Sequence, residues 1–324
     1  KPQIARLFGI ESGHRFAAPP NLIIQDELHL ISGPLGSIAG LYESLFEELA
    51  TLRTEEEPEI KPKIVCSTAT ITNAHDQVLQ LYSRGSLSLF PPYGLSAGDS
   101  FFAKYDLDDK GKPRPGRKFI GVLPTALRSA QDLQIRVTAC LAQAVMDLPA
   151  EFRDPWFTNL TFLNRIQDVG IARGLIDNAV GPALKERWNR NNIPLSNRRY
   201  INKVLELTSR RSSEEMTAAL SGLAIDSSSG AFDVVLASNV IEVGVDVPRL
   251  SLLTILGQPK SMSQYIQVSG RVGRRSDRPG LILTMYPPRR TRDRSVFEKF
   301  VSTHQRLYAE AVSYTHLRAH ETRE

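Results

Sequence analysis

The stretch FDVVLASNVIEVGVDVPRL, residues 232–250, runs directly into SLLTIL, 251–256, and shortly afterwards into QYIQVSGRVGRR, 264–275. DVVLAS (233–238) and SLLTIL are short, β-rich and almost wholly apolar, as strands covered on both faces of a sheet read. The first strand ends at Ala237 and Ser238; then come Glu242, Gly244 and Asp246, and Pro248 closes the segment. Gly244 permits a close backbone approach, and Asp246 is suited to holding a ribose hydroxyl or an arginine. A strand followed by an ordinary glycine-containing turn would give the same letters.

In QYIQVSGRVGRR, residues Gln267, Gly270, Arg271, Gly273 and Arg274 form Q-x-x-G-R-x-G-R. The two arginines, spaced by three, are expected on one helical face or at successive turn positions. Guanidinium groups suit the charge on a phosphoryl group in transfer. A generic basic helix end is the plainer reading, and the two glycines argue against a solvated helix.

Six further runs read as buried strands: NLII (21–24), KIVCS (63–67), FIGVL (119–123), LTFLN (160–164), VLELT (204–208) and GLILTM (280–285). Amphipathic patterns at 35–53, 125–148, 213–223 and 295–311 read as helices between them. Strands and helices taking turns predict an α/β fold with a mainly parallel sheet. At roughly 150 residues per domain, 324 residues imply about two domains. Periodicity is weakest from 83 to 118, where Gly, Pro and charge collect, so a linker or insertion is expected there. SYTHLRAHETRE, 313–324, extends no pattern and reads as a frayed or non-native tail.

Composition narrows the classes. With 41% hydrophobic and 23% charged residues, global disorder is excluded. No apolar run reaches the roughly 18 residues of a spanning helix, so no membrane partner is expected. Two cysteines, Cys66 and Cys140, exclude a disulfide framework and fit a reducing, cytoplasmic setting. The six histidines show no metal-ligand spacing. The formal net charge of +5 says less than its distribution: Arg271 to Arg294 holds eight Arg against two Asp. Arg289, Arg290, Arg292 and Arg294 are therefore candidate contacts for nucleic-acid phosphates; a solvated basic loop has the same composition. The acidic run TEEEPEI reads as a solvated loop.

Two more segments carry candidate chemistry. NLIIQDELHL (21–30) ends an apolar strand in Asp26 and Glu27, with His29 two residues on. Ligands of open α/β sheets bind at the carboxyl ends of strands. A carboxylate there can hold Mg²⁺ through water while its neighbour orients or deprotonates an attacking water. An acidic helix start would look alike. KIVCSTAT (63–70) ends in Ser67, Thr68, Ala69 and Thr70, hydroxyls able to bridge a nucleotide site to a neighbouring element or to cap a helix starting near Asn73.

In order and spacing together, these segments resemble the superfamily 2 helicases and translocases of the DExH type. DELH resembles motif II, Thr68-Ala69-Thr70 motif III, FLNRI with its helix motif IV, ASNVIEVGVDVP motif V and QVSGRVGR motif VI. More narrowly, GHRFAAPPNLIIQDELHLISGPLG (13–36) resembles the DrmA-type helicase subunit of DISARM phage-defence systems. The resemblance implies two RecA-like domains with parallel sheets, ATP between them and nucleic acid across another face. It implies Asp26 on Mg²⁺ through water, Glu27 activating the attacking water, and His29 linking to motif III. Thr68 and Thr70 would couple hydrolysis to movement, Gly244 and Asp246 would lie near the nucleotide, and Arg271 and Arg274, with Gln267 beside them, would reach the phosphates.

One departure stands out. The family's G-x-x-x-x-G-K-[ST] phosphate cradle is missing: the lone Gly-Lys pair is Gly111-Lys112, followed by Pro113. The first RecA-like domain is thus expected to be N-terminally truncated. The expected division is 1–82 for its C-terminal part, 83–118 as linker or insertion, 119–312 as the second RecA-like domain and 313–324 as tail. The expected activity is an ATP-dependent helicase or translocase of the longer parent, on DNA in phage defence, with defence-system subunits as partners; turnover by this stretch alone is not expected. The motifs do not separate DNA from RNA. The competing class is a non-hydrolysing nucleic-acid-binding or scaffold module on a decayed helicase fold.

Overall fold

The computed structural model describes residues 10–11, 14–15, 20–28, 31, 33–51, 59–68, 74–90, 101, 104, 106–112, 114, 116–126, 129–242, 246–275 and 277–305. These fall into two compact units, one within 10–90 and one within 101–305. The tail expected at 313–324 lies outside the described residues.

In the first unit a two-residue antiparallel pair, β1 (Ile10–Glu11) and β2 (His14–Arg15), precedes a parallel pair. That pair is β3 (Leu22–Gln25) with β4 (Lys63–Cys66), in register from Leu22 opposite Lys63 to Gln25 opposite Cys66. Helix α1 (Gly33–Ala50) joins them and α2 (Ala74–Tyr82) follows. The expected strands are present, but their faces are poorly covered: Ile24 is 71% exposed and Leu41 on α1 77%.

The second unit is built on six parallel strands: β5 (Arg117–Val122), β6 (Asn159–Leu163), β7 (Val204–Leu207), β8 (Val234–Ala237), β9 (Leu252–Leu256) and β10 (Gly280–Met285), in the spatial order β5-β10-β9-β6-β8-β7. All six were legible as apolar runs. Every residue of β6, β8 and β9 is buried, as strands covered on both faces must be. Edge strand β7 alternates half-buried and buried residues. At the sheet's centre the hydroxyls of Thr161 and Thr254, both buried, satisfy one another at 2.9 Å.

The helices are α3 (Ala130–Ala144), α4 (Ala150–Phe157), α5 (Ile166–Leu175), α6 (Gly181–Arg190), α7 (Ser213–Leu223), α8 (Met262–Ser269), α9 (Thr291–Glu298) and α10 (Phe300–Gln305). Helix α7 starts on a capping box in which Ser212 and Glu215 satisfy each other's backbone N–H. Between α5 and α6 the chain stays helical through a π-helical turn, Ile176–Val180. It leads into Pro182, which has no N–H to donate and whose ring crowds the carbonyl four residues back. Where a single helix was expected over 295–311, the described residues form two, broken at Lys299; 306–311 lie outside the described residues.

One buried ion pair ties the start of β8 to the segment before β7. Arg199 bonds Asp233, whose other oxygen accepts from the backbone N–H groups of Asn202 and Lys203, both at 2.7 Å. Arg199 also stacks on Phe157, 3.6 Å from the ring centre. Burial pulls the Arg199 guanidinium below its ordinary range, and Asp233 pulls it back up. Removing one member of such a pair strands the other in a dry site. Asp233→Ala should therefore cost about 3–5 kcal/mol of stability, read as a lower urea midpoint, whereas Asp277→Ala, which breaks the exposed Arg275–Asp277 pair, should leave the midpoint unchanged. Equal midpoints for the two variants would contradict this.

Candidate functional site

In the first unit the parallel ladder of β3 and β4 continues past the strands: Ser67 N donates to Gln25 O at 2.9 Å, and Leu28 N to Ser67 O at 3.0 Å. Leu28 is buried. Glu27, between the ladder and this anchor, takes a left-handed φ of 53°, uncommon for a residue with a Cβ. The turn is pinned by side chains as well. Asp26 Oδ1 accepts from Glu27 N at 2.9 Å and from the Ser67 hydroxyl. Asp26 is thereby an exposed carboxylate in a fixed orientation at a strand's carboxyl end, with Glu27 half-buried beside it.

Sequence reasoning put the link from β4 in Thr68 and Thr70; the hydrogen bond to Asp26 comes from Ser67, one residue earlier. The sequence signal for it was its place as the first hydroxyl after the apolar run. Thr68 engages neighbours of its own. His29 and Thr70 lie outside the described residues. Among the described residues no three His, Cys, Asp or Glu side chains gather. A cation at Asp26 would thus need water or ligand oxygens for the rest of its shell, which is how Mg²⁺ is commonly held.

In the second unit, α8 starts on Ser261, whose side chain accepts from Gln264 N at 3.1 Å. It carries Gln267, 8% exposed, toward its end. The helix stops at Gly270. Arg271 N turns back to Val268 O at 3.1 Å, Val272 is fully buried, and Gly273 takes a φ of +60°. The arginines thus stand on a turn, and the helical-face alternative is not realised. A Cβ on Gly273 would lie 2.5 Å from the Gly280 nitrogen and 2.6 Å from its Cα. The turn therefore lies directly on the first residue of β10, and Gly273 N donates to Leu250 O at 2.9 Å. Arg117, at the start of β5, donates from Nε to Val272 O at 2.8 Å and from Nη2 to Gly270 O at 3.4 Å. Sequence reasoning missed Arg117, which is far away in the chain and belongs to no motif.

This frame presents Arg274. Its Nε donates to Gly270 O at 3.2 Å, and its Nη1 lies 2.6 Å from Asp246 Oδ1. Of the two partners expected for Asp246, a ribose hydroxyl or an arginine, the arginine is the one in place. The Asp246 side chain is 65% exposed and that of Arg274 31%. An ion pair so open to water adds little stability, so Arg274 can exchange Asp246 for another anion at small cost. Arg271 and Gln267 also engage neighbours. Gly244 lies outside the described residues.

Much of the Arg271–Arg294 charge is committed within the unit. Arg274, Arg275, Arg278, Arg290 and Arg294 all sit in ion pairs. Arg292 donates to Pro259 O. Buried Asp293 accepts from Gln258 N at 2.9 Å and faces Arg290 at 3.9 Å; burial raises its carboxyl above the usual range. Arg289 is exposed. The Gly111-Lys112 pair lies in a turn where Asp108 Oδ1 accepts from Lys110 N at 2.9 Å and Lys112 N at 2.8 Å. That is a side-chain-capped turn, away from any helix start, and it excludes this pair as the phosphate cradle.

The chain is similar to several known proteins. The helicase conserved C-terminal domain matches residues 189–276, from the end of α6 through the Gly270–Arg275 turn. The chain is 42% identical to the DISARM protein DrmA of Bacillus paralicheniformis over 296 residues, 90% of this chain and 26% of that protein. It spans about a quarter of that relative's length. Among solved structures, the DUF1998 helicase MrfA bound to DNA superposes with a TM-score of 0.53 at 18% identity, over 88% of this chain and 32% of that one. The helicase Lhr of Mycobacterium smegmatis, bound to ssDNA and AMP-PNP, gives 0.53 at 16% identity, over 90% and 31%. At such identities the likeness is one of fold, and the fold is the RecA-like α/β fold read from the motifs.

The close approach at Gly273 makes a direct prediction. Gly273→Ala puts a methyl against backbone and into a left-handed φ, so it should cost about 1–3 kcal/mol in chemical denaturation. Asp246→Asn breaks only an exposed pair and should leave the midpoint where it is. A Gly273→Ala protein as stable as the parent would show that the turn does not rest on β10.

Proposed function

We propose that the chain forms part of a superfamily 2 helicase, an ATP-driven helicase or translocase, a reading supported by its match to the helicase conserved C-terminal domain and its similarity to DrmA. Its substrate on this reading is nucleic acid, with DNA favoured. One observation carries the reading: the turn Gly270–Arg274 holds Arg274 in a weak, exposed ion pair with Asp246. That is a guanidinium in a stored position, ready for a phosphate.

Local geometry supports the roles proposed here for the described residues. The Asp26 carboxylate, oriented by Ser67 and the Glu27 backbone, is the group that would hold Mg²⁺ through water, and Mg²⁺ would supply charge neutralisation at the phosphates. Glu27, set off the strand axis by its left-handed backbone, accepts a proton from the attacking water. Arg274 leaves Asp246 for the transferring phosphoryl group, whose charge a planar guanidinium meets with two parallel hydrogen bonds. Arg271 and Gln267 complete that side with Asp246, and Gly244 is proposed to serve the same nucleotide. His29, Thr68 and Thr70 pass the state of the nucleotide to the rest of the machine. Similarity to DrmA supports a place in phage defence beside partner subunits, in the cytoplasm. No described helix is long and apolar enough to cross a membrane.

The exposed apolar residues of β3 and α1 support one further element of this reading. We propose that they pack against the rest of the first RecA-like domain, to which a phosphate cradle would belong. Arg289, with Arg290, Arg292 and Arg294, is proposed to meet the nucleic-acid backbone.

In the full-length protein, Glu27→Gln should retain ATP binding and lose turnover. Arg274→Ala should lower turnover about 10³-fold or more, with ATP and DNA affinities and melting temperature near the parent's, and Arg274→Lys should not restore it. Phosphate release and nucleotide binding are the measurements. Wild-type turnover by either Glu27→Gln or Arg274→Ala would refute the assigned role. Neutralising the four C-terminal arginines should flatten the salt dependence of duplex binding by roughly 0.9 log units for each phosphate no longer neutralised; an unchanged slope would return them to a solvated loop.

A further inference from the structure

A second concave site lies on the second unit, built by α3, the π-helical turn and α6 rather than by any of the motif segments. It encloses about 460 Å³. Residues of α3 face it at helical spacing, from Asp132 through Arg136 to Cys140, and residues from Ala179 to Arg190 face it likewise from the other wall. Both walls repeat every three or four residues, so the hollow is an elongated groove between two helical faces. Its floor is apolar and small-featured, with Ile135, Ala139 and Ala183. The π-helical turn sits at its edge, and such turns recur at functional sites.

The rim is basic and uncommitted. Arg136, Arg187 and Arg190 line the groove, and among the described residues none of the three makes an ion pair or a side-chain hydrogen bond. Elsewhere in this unit Arg173, Arg199, Arg249 and most arginines after Arg271 are ion-paired. Arg187 is half-buried there, while Arg136 and Arg190 are exposed. A floor without charge beneath a rim of guanidiniums is the complement of an amphipathic helix with an apolar stripe and flanking carboxylates. Nucleic acid fits less well. Its phosphates have no use for an apolar floor such as Ile135, Ala139 and Ala183 form.

We propose that the groove between α3 and α6 is a docking site for an acidic amphipathic helix of a partner protein. The apolar stripe of that helix lies on Ile135, Ala139 and Ala183, and its carboxylates pair with Arg136, Arg187 and Arg190. Asp132 and Glu186 favour basic or uncharged residues of that helix beside them. The exposed thiol of Cys140 reports on occupancy.

The test uses the 324-residue chain and a fluorescein-labelled helical peptide of about 18 residues, some 27 Å long, with leucine and alanine on one face and glutamate on the other. A lysine-for-glutamate version and a scrambled version serve as controls. Anisotropy should give saturable binding of the glutamate peptide at about 10–100 µM, at least tenfold weaker for Arg136→Glu with Arg190→Glu. Both positions are exposed, so that variant should fold, as circular dichroism can verify. The bound peptide should slow iodoacetamide alkylation of Cys140 several-fold and leave Cys66 unchanged. Equal binding by the lysine or scrambled peptide, no saturable binding, affinity unmoved by the charge reversal, or unprotected Cys140 would each overturn the proposal. So would duplex DNA that protects Cys140 and displaces the peptide, which would make the groove a nucleic-acid site.

Discussion

The second unit's site rests on one backbone contact, that of Gly273 against Gly280. No side chain separates the Gly270–Arg274 turn from the first residue of β10, so the turn inherits the rigidity of the sheet. Arg117 and Leu250 add hydrogen bonds from two further segments. The carbonyls of Gly270 and Val272 and the amides of Arg271 and Gly273 are thus taken up, and Arg274 is the group held outward. A guanidinium on a flexible loop would lose conformational entropy at each encounter with a phosphate; one presented from a fixed frame loses little.

Charge in this molecule is sorted by burial. Arg199 and Asp233 are dry and paired, so they fix structure and cannot switch. Arg274 and Asp246 are wet, so their bond is easily broken. The same distinction tempers the basic run from Arg271 to Arg294, whose formal excess looks like a nucleic-acid patch in the sequence. Folded, most of those arginines already face a carboxylate.

The sheet was legible because its strands are buried on both faces and so read as mainly apolar runs: VVLA has no polar residue, and NLTFL and LLTIL are broken only by Asn159, Thr161 and Thr254, which hydrogen-bond to one another inside the sheet. The long helical stretch from Ile166 to Arg190 was read only at its start. Gly170, Gly174, Gly181 and Pro182 interrupt its pattern, and burial of Val169, Ile176 and Leu184 in the core overrides their poor propensity. Among the candidate residues, Asp26 and Glu27 of the first unit and Arg274 of the second were legible as residue types at a strand end and a turn. Ser67 was legible only as one of several hydroxyls. Arg117 was not legible at all, since its role depends on β5 pairing with β10, a contact across more than 150 positions that local pattern cannot encode.

The central claim is that Arg274 trades Asp246 for a transferring phosphoryl group. A structure of the full-length protein with ADP and beryllium fluoride tests it most directly. The account predicts the Arg274 guanidinium within about 3 Å of the fluoride, at hydrogen-bonding distance, and its bond to Asp246 broken. Arg274 still on Asp246 in a closed, nucleotide-filled site would contradict it.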